Sequence, residues 1–219
     1  LVASQTSGLS DSLKPGDLSN VALGDTTRFR VFSTPPAQNT YYRVYSLDSY
    51  DGISWSINKP LITNPIDIDA TTSQLEIEME PQRQIWRPLP EWASVSSGTF
   101  LYSNTFGEQD PLASVWRRSF LVANEPKLNS APLTAEMHSH LISLPDSDPK
   151  TREWLLQFSD KPLSVVINSL RTLFSQDFIY TLQPPPPPPS NFIDELLFNT
   201  QKGYCGHYAN ATAYILRGL

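Results

Sequence analysis

The stretch KGYCGHYANATAYILRGL, from Lys202 to Leu219, carries the one cysteine of the chain, Cys205. A cysteine attacks carbonyl carbon as its thiolate, and the start of a helix favours that anion through unpaired backbone N–H groups and the positive dipole end. Cys205 stands where such a helix should begin. Gly203 permits a sharp turn into it, and Ala209, Ala211 and Ala213 suit close packing in a core. At helical spacing Tyr208, Ala209 and Thr212 share the face of Cys205. Two readings follow from these residues alone: an activated nucleophile at a helix start, or a small buried thiol that only fills space.

The three histidines add little to either reading. Two residues along a helix is a rotation of about 200°, so His207 points away from Cys205 and is a poor candidate for its base. His138 and His140 form an HxH pair without the further ligands that a zinc site needs, so neither metal nor cofactor is expected. Asn210-Ala211-Thr212 matches a glycosylation sequon, but inside a packed helix the match is chance.

The elements that must position Cys205 are legible in outline. TRFRVFS (27–33), YYRVYSL (41–47) and QLEIEME (74–80) alternate with period two, the last placing Leu75, Ile77 and Met79 on one face. GISWSI (52–57), TFLYS (99–103) and SVWRRSFLV (114–122) are further strand candidates, with Tyr50-Asp51-Gly52 a turn between two of the strands. The period then lengthens. Asp148-Pro149 reads as an N-cap and first-turn proline, opening a helix through Trp154, Leu155 and Phe158. A second helix begins near Lys161-Pro162, with Leu163, Val166, Ile167, Leu170 and Phe174 on one apolar face. DFIYTL (177–182) reads as a short strand. The six prolines Pro184–Pro189 are expected to form a stiff spacer rising roughly 3 Å per residue, the other reading being a ligand for a proline-recognition module, which no basic anchor beside them supports. After them, NFIDELLFNT is expected to pack Phe192, Leu196, Leu197 and Phe198 just ahead of the cysteine. Strands first and helices afterwards make an α+β chain.

Composition narrows the function classes. A net charge of −6, with basic residues scattered, gives no support to a nucleic-acid partner. No apolar run is long enough to span a bilayer. One cysteine cannot form an intramolecular disulfide, so thiol usage does not indicate a compartment.

The segment DELLFNTQKGYCGHYANATAYILRGL resembles the nucleophile region of transglutaminase-like cysteine enzymes, closest to the bacterial membrane-anchored TgpA type. GLSDSLKPGDLSNVALGDTTRFRV is similar to the stretch that follows the last N-terminal membrane helix in that family, and LDSYDGISW to its next landmark. FIYTLQPPPPPPSNFIDELLF resembles the strand, proline-rich loop and acidic turn that precede the nucleophile. The resemblance implies that Cys205 is the nucleophile, Gly203 its preceding glycine, and His207, Tyr208 and Ala209 the usual His-aromatic-Ala. Gly206 departs from the pattern, standing where the family commonly has Glu.

What the resemblance implies is a β-rich N-terminal domain over 1–128 and, over 129–219, the helical half of a papain-like or transglutaminase-like core, with 183–191 a proline-rich loop. It implies acyl transfer from a glutamine-type carboxamide, through a thioester on Cys205, to an amine or water. The partners would be an amide-bearing protein or peptide and an amine acceptor, with cell-wall peptide among the candidates. In the family the nucleophile helix is followed by strands bearing a catalytic His and Asp, so these are expected beyond Leu219 and the 219 residues alone are expected to be inactive. The implied location is an extracytoplasmic, periplasmic domain of a bacterial inner-membrane protein. A cysteine peptidase or amidase on the same fold, and a non-catalytic interaction module, remain the alternatives.

Overall fold

The computed structural model describes residues 12–15, 27, 29–34, 42–44, 46–58, 72–79, 86–90, 93–95, 108–109, 116–123 and 134–219. Eleven of the described strands precede the first helix, and two short ones, Ile179–Tyr180 and Lys202–Gly203, lie among the helices of an α+β chain. The fold divides into two compact units, one of Leu1–Leu9, Asp25–Leu47 and Ile57–Thr134, the other of Ser10–Gly24, Asp48–Ser56 and Ala135–Leu219. Two segments from within the first 128 residues thus belong with the helical unit.

The first unit is built on a four-stranded antiparallel sheet in the order Phe29–Thr34, Thr72–Met79, Trp116–Ala123, Ala93–Val95. Alternation in QLEIEME does what period two dictates. Leu75, Ile77 and Met79 are buried, with Phe29, Val31 and Tyr42 packed against them. On the other face Arg30 lies opposite Glu78, at 4.0 Å; a pair this open contributes little to stability. Three expected strands are shorter in the structure, one of them 177–182, of which only Ile179–Tyr180 is strand. Among the described residues of 41–47 only Tyr42–Arg43 is strand. Of 52–57 only Trp55–Ser56 is, because the Asp51 carboxylate accepts from the N–H groups of Ile53 and Ser54 and holds them in a turn, with Gly52 at φ 106°. The expected strand 99–103 lies outside the described residues.

The second unit holds a three-stranded antiparallel ribbon with Trp55–Ser56 between Ser12–Leu13 and Ser49–Tyr50. Its helices are α1 (Ala135–Leu141), α2 (Pro149–Leu155), α3 (Leu163–Gln176), α4 (Phe192–Glu195) and α5 (Cys205–Arg217). A 3-10 turn, Leu156–Phe158, extends α2, and a π turn, Leu196–Thr200, extends α4. The apolar face expected on α3 is narrower than its spacing suggests: Val166 and Leu170 are buried, whereas Leu163 is 59% and Ile167 40% exposed. Phe192, Leu196 and Leu197 pack as expected, but Phe198 does not and stays 38% exposed.

Asp148 does precede α2, yet its side chain caps a different helix. Its backbone is left-handed (φ 55°, ψ 57°) and its carbonyl accepts from Arg152 N–H at 3.1 Å, but its side chain makes no cap bond to its own helix. Its Oδ1 instead accepts from the N–H groups of Ile193 and Asp194 at the start of α4, at 2.8 and 3.0 Å. Asp194 returns the bond, accepting from the N–H groups of Lys150 and Thr151 and from the Thr151 hydroxyl. Asn191, also left-handed, accepts from the Asp148 N–H. Two short helices therefore satisfy each other's orphan donors.

Candidate functional site

Cys205 is the first residue of α5, and the chain reaches it through a two-residue strand. Lys202–Gly203 pairs in parallel with Ile179–Tyr180, tied by Ile179 N–H to Gln201 O at 2.9 Å and Thr181 N–H to Gly203 O at 2.8 Å. The sharp reversal ahead of it is made by Gln201, at φ 49°, and not by Gly203. Glycine is needed at 203 for another reason. A β-carbon there would lie 2.7 Å from His207 Cβ and 2.8 Å from His207 Cγ, closer than carbon atoms pack.

Tyr204 is extended and buried, and supplies no side-chain cap to α5. Its carbonyl accepts from His207 N–H at 2.9 Å and Tyr208 N–H at 3.3 Å, closing the first turn. The start of α5 thus has N–H groups for which no capping side chain competes. Cys205 is exposed.

The side of α5 that carries Cys205 is open, with Ala209 and Leu216 exposed and Tyr208 and Thr212 half-buried. The opposite side buries His207, Asn210, Ala211, Tyr214 and Ile215. Of the three alanines expected to pack in a core, only Ala211 is fully buried; Ala209 is exposed and Ala213 half-buried. The helix is thus half-buried, anchored on one face and presenting its thiol on the other. Beside the thiol, Tyr208 meets Phe174 edge-on at 5.1 Å and lies parallel to Tyr180 at 6.2 Å.

His207 points away from the thiol side, as its spacing requires. It is 4% exposed, with its ring edge-on to Tyr204 at 4.3 Å and tilted against Phe192 at 5.5 Å. Burial pushes its pKa below the ordinary imidazole value, so the ring is held neutral. Its Nδ1 is buried and has no hydrogen-bond partner among the described residues.

The other end of α5 is fastened by residues whose role sequence reasoning missed. Asn210 Oδ1 accepts from Trp55 Nε1 at 2.7 Å, so the apparent sequon is a buried structural contact. Tyr50 stacks on Trp55 at 4.8 Å, and the Arg217 guanidinium covers the same indole at 4.6 Å. Arg217 also donates to Asp48 O at 2.8 Å, and Asp48 Oδ2 lies 2.6 Å from His140 Nε2. The only signal for this cluster was its place in LDSYDGISW. It fixes where His140 can act. The 13-residue α5 is about 20 Å long, so the His140–Asp48 pair sits at the end far from Cys205. His138 lies on the same short helix as His140, in an exposed position. None of the three histidines is placed to take a proton from the thiol.

A family model described as the TgpA N-terminal domain matches residues 2–118, a segment that ends before Cys205. Over 222 aligned residues the chain is 26% identical to a protein-glutamine gamma-glutamyltransferase of Pseudomonas aeruginosa, covering 96% of this chain and 33% of that protein. The chain therefore spans about a third of the curated relative's length. Among solved structures, the periplasmic domain of TgpA from Pseudomonas aeruginosa superposes with a TM-score of 0.79 at 24% identity, over 96% of this chain and 76% of that one. The same domain bound to ethylmercury gives 0.78 at 24% identity, over 96% and 78%. At this identity the likeness establishes the α+β fold.

Proposed function

The chain belongs to the TgpA N-terminal domain family, and from that premise we infer that Cys205 is the nucleophile of a transglutaminase-like acyl transfer. The observation that carries the inference is an exposed thiol at the first residue of a helix without a side-chain cap. It lies in a chain similar over nearly its whole length to a glutamyltransferase.

The Cys205 thiolate adds to the carbonyl carbon of a glutamine-type carboxamide. Charge that develops on the carbonyl oxygen falls near the N–H groups of the first turn of α5, which suit an oxyanion. Collapse breaks the C–N bond and expels ammonia, which takes its proton from a general acid, leaving a thioester on Sγ. An amine then attacks the thioester carbon and loses a proton to the same group acting as base, and the thiolate leaves. Water in place of the amine gives the deamidated acid.

The resemblance implies that the base is a histidine beyond Leu219, and none of the three histidines here is placed for the role: His207 is buried on the far face, His140 is engaged by Asp48 and His138 accompanies His140. An Asp that orients this base completes the arrangement by the general logic of such triads. We therefore place the activity in a longer protein that contains this chain, with the chain itself inactive. The donor is an amide-bearing protein or peptide and the acceptor an amine, with cell-wall peptide as one candidate source. The domain operates in the periplasm, anchored to the inner membrane through other parts of that protein.

The test is incorporation of a labelled primary amine into a glutamine-bearing protein by the chain extended past Leu219. Activity that falls to background in Cys205→Ala supports the reading, and equal activity in that variant contradicts it. Peptide-bond cleavage without amine transfer would instead select a cysteine peptidase.

A further inference from the structure

We infer that His207 is a positioning residue for Cys205, its side chain wedged behind the turn from which the thiol projects. The inference rests on the reading of Cys205 as nucleophile. At the start of α5 the buried side chains are those of Tyr204 and His207. Cys205 itself faces solvent, and Gly206 has no side chain and loosens the helix at the residue after the thiol. The N-cap Tyr204 makes no side-chain cap bond. His207 is the first residue within α5 whose side chain is buried.

What His207 touches bears directly on the approach to Cys205. Its Cβ and Cγ occupy the space that a side chain at Gly203 would need, so strand and helix meet there without slack. Its ring packs on Tyr204, the residue between Gly203 and Cys205, and on Phe192 of α4. Pro185–Pro188 line the same small pocket as His207 and Phe192. Moving the imidazole moves Gly203 or Tyr204, and with them the direction in which Cys205 leaves the strand. The role is one of shape. The ring is uncharged and lies on the face away from the thiol, which separates this role from that of a base.

Alkylation of Cys205, the only cysteine, by iodoacetamide at neutral pH reads its presentation without enzymatic turnover, with folding followed by near-UV circular dichroism. Ring removal in His207→Ala is expected to slow alkylation about three- to tenfold, the order expected when a thiol loses its alignment with a helix terminus. His207→Phe keeps a flat ring and is expected to stay within about twofold of the parent. Gly203→Ala and His207→Gly exchange the bulk across the contact. Each alone is expected to slow the reaction, and the pair together to be less impaired than the product of the two singles.

An unchanged rate in folded His207→Ala, or a phenylalanine variant as slow as the alanine one, overturns the inference. So do Gly203→Ala and His207→Gly effects that simply multiply. Where the single variants do not fold, folded protein regained in the double variant supports the wedge, and no recovery overturns it. Failure of amine transfer in the longer protein would overturn the function proposed for Cys205 while leaving these ratios intact.

Discussion

At Cys205 the backbone leaves a two-residue strand and enters a helix at once, and the thiol is presented by its neighbours' packing. Its accessibility can be counted: an organomercurial is expected to bind one equivalent per chain, and no uptake by folded protein would place the thiol in the interior instead. The burial of His207 has a pH consequence. In the unfolded chain the imidazole titrates near its ordinary value of about 6.5, whereas burial lowers its pKa in the fold. Below about pH 6.5 the unfolded state binds more protons, so stability falls as pH drops toward the depressed folded value. Asp148 works the other way, since burial raises its pKa and the fold favours its protonated form as pH falls through the carboxylate range. Over pH 7.5 to 5.5 the thermal midpoint is therefore expected to move further downward in the parent than in His207→Phe, which keeps Asp148 but lacks the titrating ring. Equal slopes in both proteins would contradict this.

Among the elements, α2 and α4 are too short to persist without their caps. Each crossed carboxylate satisfies backbone donors of the other helix, so Asp194→Ala and Asp148→Ala are each expected to destabilise the fold by about 1–2 kcal/mol. Because the bonds form one network, the double variant should lose less than the sum. Asp148→Asn keeps an acceptor oxygen and removes the repulsion from Asp194, so it should fall within about 1 kcal/mol of the parent. Urea titration of the four variants measures this, and strict additivity would show that the caps act independently. The sequence revealed Asp148 as a residue at a helix start. It could not reveal which helix receives the carboxylate, because that depends on a left-handed backbone and on a neighbour 45 residues away. At Gly203 the glycine was legible, but the reason is a close local approach to His207, four residues on, in place of the expected turn.

For the whole molecule, local periodicity exposed the strand Thr72–Met79, the α3 helix and the helix behind Cys205, because each repeats its own burial pattern. It could not show that Asp48–Ser56 belongs with the helical unit, since that grouping arises from contacts far apart in sequence, such as Trp55 with Asn210 and Arg217. Two expectations follow. Residues 129–219 alone lack Tyr50, Trp55 and Asp48, and should show no cooperative thermal transition by circular dichroism. Trp55→Ala in the whole chain should cost about 3–5 kcal/mol. A cooperative melt of the shorter piece at the parent's midpoint would contradict this account of the second unit.

The central claim is that Cys205 takes the acyl group of an amide donor. The most direct measurement is peptide-mapping mass spectrometry of the chain extended past Leu219, incubated with a glutamine donor peptide and no added amine, then quenched in acid. The account predicts a thioester adduct equal to the donor less ammonia, on the peptide containing Cys205 and absent from Cys205→Ala. An adduct on any other residue, or donor turnover that persists in Cys205→Ala, would contradict it.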